Sequence, residues 1–176
     1  MSEIHHHAHG PANRGRIVHT TAAPLFVSGS GHPIAGAVMA LHGVHGIDAR
    51  FEAGIRHLAS RGLLVVAPYL YFREGGPDHP EPERARAAFA LLTVDGLDTD
   101  VDAAITHLTR RHGVPAARIR LLGCGGGIEP ARRGAARHGL GPPVELMPET
   151  DQGPLPSPGW RAAAELLTPS GAAAPG

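Results

Sequence analysis

Apolar positions along the chain gather into short unbroken runs, and between those runs they recur at helical spacing. "IAGAVMAL" (34–41), "LLVVAP" (63–68) and "RIRLLG" (118–123) show little alternation. Such runs fit strands covered on both faces in a mainly parallel sheet. "RIVHT" (16–20) and "PLFVSG" (24–29) are shorter β-prone runs and predict an opening pair of strands. Over 48–62, Phe51, Ile55, Leu58 and Ala59 make one helical stripe, with Asp48 able to cap its start and Gly62 to end it. Helices are also predicted over 82–93, over 98–113 with Asp98 or Thr99 as cap, and over 128–139, where Pro130 fits the first turn. Residues 69–83 are rich in Pro, Gly and acid and read as loop. Strands alternating with helices predict an α/β fold built on a parallel sheet flanked by helices.

After about residue 140 the pattern stops. "GPPVELMPETDQGPLPSPGW" is Pro-rich, "TPSGAAAPG" is tail-like, and only "WRAAAELL" (160–167) predicts a short helix. The chain therefore divides into a flexible His-rich tail (1–15), a core (16–140) and a Pro/Gly/Ala-rich C-terminal segment (141–176) expected to be largely without fixed structure.

Composition removes several function classes. The 16 basic residues, all arginine, balance 16 acidic ones and are scattered along the chain, so no nucleic acid or anionic membrane partner is expected. One cysteine excludes a disulfide framework and a Cys-rich zinc site. No apolar run reaches the length of a membrane span, and the polar N-terminus is no signal peptide, so a cytoplasmic location is expected. His5, His6, His7 and His9 have no nearby carboxylate shell, and neither a metal nor a cofactor is expected.

In parallel α/β folds the chemistry collects at the carboxyl ends of strands. Three such ends stand out: "HGVHG" (42–46), "YLYFREGG" (69–76) and "GCGGG" (123–127). The last joins a strand directly to a helix and holds Cys124 among Gly123, Gly125, Gly126 and Gly127. That composition suits a nucleophile elbow, in which a strained backbone presents the reactive side chain at a helix N-terminus. The bland alternatives are a buried small residue for Cys124 and ordinary loop histidines for His42 and His45. His57 and His107 read as packing or surface residues. Asp98, Asp100 and Asp102 read as a cap and a solvated helix start. A phosphate cradle at "GCGGG" lacks the "GK[ST]" ending.

"ALHGVHGIDARFEAGIRHLASRGLLVVAPYLYFREGG", followed by "DTDVDAAITHLTRRHGVPAARIRLLGCGGG", resembles the dienelactone hydrolase family of α/β-hydrolases over about residues 30–140. "APYLYFR" (67–73) is the most specific piece. The resemblance implies an α/β-hydrolase-like sheet, truncated or degenerate after the elbow helix. It also implies hydrolysis of a lactone or ester by a Cys, Asp and His triad.

Carried over by position, the family's first-loop glutamate becomes Gly43, and the aspartate of "A-P-D-L" becomes Tyr69. His42 and Gly43 resemble an oxyanion loop. The elbow aligns in two registers. One puts Gly125 at the nucleophile position. The other matches "C-x-G-G" to Cys124 through Gly127, keeps more side-chain identities, and is the preferred of the two. His138 is the one histidine after Cys124, roughly 20 Å away along the next helix at 1.5 Å per residue. No strand pattern carries Glu145, Glu149 or Asp151 into place. The base is then His42, His45 or a histidine of a second chain.

Two functions stay open: a lactone or ester hydrolase using Cys124, with an oxyanion hole near Gly43 and Gly125, or an inactive homologue serving as a binding or scaffold module. A phosphate-binding protein trails both. A small-molecule ester or lactone is the expected partner if the chain is active. Dimerisation or poor solubility is expected from an uncovered sheet edge.

Overall fold

A computed structural model describes residues 15–29, 35–73, 78–147 and 153–169. The His-rich stretch at 5–9 lies outside these residues. Six strands form one sheet in the order β1-β2-β4-β3-β5-β6. They are β1 (Arg16–Val18), β2 (Leu25–Ser28), β3 (Gly36–Leu41), β4 (Leu63–Pro68), β5 (Ile119–Cys124) and β6 (Val144–Leu146). β1 and β2 pair antiparallel, as the opening runs predict, and β2 pairs antiparallel with β4. From β4 through β3 and β5 to β6 every pairing is parallel.

The unbroken apolar runs have the predicted cause. Ala37, Met39 and Leu41 of β3 face one layer, where they meet Val101 and Ala104 of α3 (Val94–Thr106), Leu108 just beyond it, and Ala131 and Ala135 of α4 (Ile128–Arg137). Val38 and Ala40 face the other layer, with Phe51, Ile55 and Leu58 of α1 (Ala49–Ser60) and Trp160, Ala164 and Leu167 of α5 (Pro158–Leu167). A strand sandwiched this way has no polar side to show in its sequence. α2 (Pro82–Leu91) buries only Ala85 and Ala88.

Three expectations are corrected. First, α3 starts at Val94, not near 98, because Thr93 Oγ1 accepts the Gly96 amide at 3.1 Å and caps it there. Asp100 consequently faces inward. It is 1% exposed, accepts the Ala23 amide at 3.0 Å, and takes two hydrogen bonds from Arg73. Asp98 and Asp102, on the outer side, pair with Arg133, Arg137 and His138. Second, a strand does follow residue 140: β6 joins the sheet beside β5, and Glu145 points to the surface, where it pairs with Arg132. Third, the C-terminal segment contributes α5 to the core, since Trp160, Ala163, Ala164 and Leu167 fall on one helical face. Trp160 fits because Gly54 on α1 leaves it room: a Cβ there would stand 2.1 Å from the indole.

Candidate functional site

The carboxyl ends of β3, β5 and β6 open into a cavity of about 340 Å³. Its apolar wall is Phe51, Leu146, Met147 and Trp160. Its polar side holds His45, Asp48, Arg50 and Arg86, and Gly43, Cys124, Gly125 and Gly126 form the floor. Phe51 and Trp160 meet edge to face with ring centroids 5.4 Å apart. Asp48 caps α1 by accepting the Phe51 amide at 2.8 Å, and this fixes the lip of the cavity.

The turn after β5 decides what the floor can do. Cys124 is the last residue of β5, with extended dihedrals of φ −106° and ψ 122°, and it pairs with Leu146. Gly125 follows with φ +51°. The left-handed conformation, disfavoured for residues with a Cβ, thus falls one position after the cysteine. Gly125 is the tip in one of the two registers open in the sequence, and Cys124, the nucleophile of the preferred one, is extended. Gly43 packs against this turn so closely that a Cβ on it would lie 2.9 Å from the Cys124 carbonyl oxygen. Gly123 and Gly127 stand behind the floor, against Ile128 and the Leu41 and His42 carbonyls, and let α4 leave β5 at close range.

The 42–46 loop is held from inside. His42 is fully buried, its Nδ1 lies 2.9 Å from the Gly43 carbonyl, and its Nε2 accepts the Leu70 amide at 3.1 Å. Those partners fix a neutral ring with the proton on Nδ1. Burial pushes its pKa down to about 4, against a smaller opposing effect of the Gly43 carbonyl. Both nitrogens are committed, which corrects the expectation of His42 as a base. Tyr71 Oη donates to the Val44 carbonyl at 2.6 Å, and burial raises the phenol's pKa. His45 is the histidine that shares the cavity with Cys124. Its Nδ1 is 3.4 Å from the His79 carbonyl, and the His79 amide donates back to the His45 carbonyl at 3.1 Å. His138, at the far end of α4, is bound to Asp102.

Sequence reasoning missed Arg50, Arg86 and Trp160. Arg50 and Arg86 look like ordinary surface positions of helices in the sequence. Trp160 is the chain's single tryptophan, and that rarity was its one signal.

A sequence profile of the dienelactone hydrolase family matches residues 25–139. A Bradyrhizobium protein described as a "probable 2-oxo-3-(5-oxofuran-2-ylidene)propanoate lactonase" is 30% identical over 125 residues, covering 68% of this chain and 50% of that protein. Among solved structures, a Klebsiella pneumoniae protein assigned as a dienelactone hydrolase superposes with a TM-score of 0.60 at 22% identity, covering 71% of this chain and 55% of its own. The thioesterase domain from the curacin biosynthetic pathway gives 0.50 at 18% identity, over 89% and 52% of the two chains. The latter two likenesses speak for the fold alone. This chain thus spans about half the length of the curated relative it matches. On the profile match and the sheet that carries it, the chain belongs to the dienelactone hydrolase family and has the α/β-hydrolase fold.

Proposed function

We propose that this chain is a binding member of its family: its cavity takes a small unsaturated lactone or ester bearing an acid group and holds it without covalent turnover. The observation that carries this reading is Gly125 at the left-handed position of the turn, where a nucleophile's side chain would stand. Phe51 and Trp160 offer an apolar slot for a flat ring. Arg50 and Arg86 border the same space and form no ion pair among the described residues, which favours an anionic substituent. The curated relative's description as a propanoate lactonase points to ligands of the same class.

A second reading has its own support. Cys124 and His45 line one cavity, so a thiolate activated by His45 and attacking an ester carbonyl is the competing mechanism. Trp160 supplies the reporter that separates the two. A panel of unsaturated carboxylate lactones and their methyl esters is titrated while indole fluorescence and product formation are followed. Saturable quenching without product, weakened about tenfold or more for the methyl esters, is expected. Turnover that Cys124→Ala removes would carry the competing mechanism instead.

A further inference from the structure

Away from this cavity, a groove of about 410 Å³ opens between the turn joining β1 to β2 and the C-terminal part of α3. It shares no lining residue with the Cys124 cavity. His19, Thr20 and Thr21 form one wall, and Thr106, His107, Arg110 and Arg111 form the other. A wide helical turn over His107–Arg111 arranges the second wall. In an α-helix, residues five apart point about 140° away from each other, whereas i→i+5 bonding sets them on one face. His107 and His112 accordingly meet Nε2 to Nε2 at 3.2 Å, with ring centroids 5.0 Å apart.

Basic side chains crowd this groove. Burial, then His112, Arg16 and Arg111, all lower the His107 pKa. Among the described residues Arg16, Arg110 and Arg111 form no ion pair, while Arg73, Arg132, Arg133 and Arg137 each find a carboxylate. The one lining carboxylate, Asp102, is occupied by Arg137 at 2.8 Å and His138 at 2.7 Å. Cations thus converge on a hollow whose acid is already engaged.

We propose that this groove binds an oxyanion of the phosphate class, either free phosphate or the phosphate group of a small molecule. Guanidinium forks match the oxygens of such an anion. At 3.2 Å one Nε2 of the histidine pair donates to the other, and a further proton on the pair adds a positive charge beside the groove. Arg16 of β1 and Arg111 oppose that proton, Arg110 adds positive charge around the groove, and Asp102 is engaged by its partners. A dianion removes the opposition, so anion and proton bind together. The structural alternative is that these basic groups only complement the carbonyl end of α3; it predicts no saturable binding.

The test follows the His107 and His112 ring signals by NMR at constant ionic strength, with sulfate, inorganic phosphate and glycerol 3-phosphate against a chloride control. Sulfate stays a dianion throughout, so its pH dependence reports the protein. Its affinity should rise about three- to tenfold from pH 8 to pH 6. Arg110→Gln/Arg111→Gln should weaken all three ligands about tenfold or more. His107→Gln/His112→Gln should bind sulfate with no pH dependence. Tighter binding of glycerol 3-phosphate than of phosphate would assign a phosphorylated small molecule, and equal binding the free ion. Shifts that never saturate, that chloride reproduces, or that survive the arginine substitutions in a protein folded by circular dichroism would overturn the proposal.

Discussion

His42 should make the fold acid-sensitive in a defined window. Its ring is fully buried, and its pKa falls from 6.5 to about 4 on folding because burial favours the uncharged form. The unfolded chain therefore takes up a proton below about pH 6.5 while the native chain does not. The His42 contribution to stability is complete above pH 6.5, is lost progressively as pH falls toward 4, and changes no further once both states are protonated. At 1.36 kcal/mol per pKa unit, the loss amounts to about 3 kcal/mol. Urea unfolding at half-unit steps from pH 7.5 to 4, for the wild type and His42→Gln, isolates it, since the other histidines are common to both proteins. The wild type should lose about 3 kcal/mol more than the variant across the window, although it is the more stable protein at pH 7.5. Parallel curves for the two proteins would refute the assignment of His42 as a buried, neutral support of the 42–46 loop. In the native chain His42 takes up its proton only near pH 4, which costs the Leu70 amide its acceptor, so binding in the cavity should hold down to about pH 5 and weaken as pH approaches 4.

Substitutions at four positions probe other parts of the account. Gly125→Ala forces a Cβ onto φ +51° and should cost about 1–2 kcal/mol by chemical denaturation, whereas Cys124→Ala, at an ordinary extended residue, should cost less than 1 kcal/mol. Gly54→Ala drives a methyl to 2.1 Å from the Trp160 ring; a loss of about 1–3 kcal/mol with a shift in indole emission is expected, and an unshifted spectrum would contradict the α1–α5 packing. Asp100→Ala orphans the buried Ala23 amide and should cost about 2–4 kcal/mol in thermal unfolding. Asp100→Asn, which keeps an oxygen toward that amide, should cost clearly less.

Much of this architecture can be read from the chain because β3 and β4 are apolar throughout, and only burial on two faces tolerates that. β6 is hard to read for the opposite reasons. It is three residues long, sits at an edge, and follows Pro142 and Pro143, so neither alternation nor length announces it. The start of α3 misleads because Asp98 and Thr99 are strong capping types, yet Thr93 caps the helix first and Asp100 is turned into the core. At the site, "GCGGG" predicts a tight strand-to-helix turn at the right place. Which residue takes the left-handed conformation is undetermined in the sequence, because four of the five positions are glycine. His42 and His45 are equivalent in "HGVHG". Tertiary partners separate them, placing one ring behind the loop and the other in the cavity.

The central claim is that the cavity binds its ligand without a covalent step, and intact-protein mass spectrometry tests it most directly. The wild type is incubated with a saturating unsaturated carboxylate lactone, quenched in acid over a time course, and weighed beside Cys124→Ala. The account predicts an unmodified mass at every time for both proteins, with saturable Trp160 quenching under the same conditions. A transient acyl mass on the wild type, absent from Cys124→Ala and accompanied by ring-opened product, would contradict it.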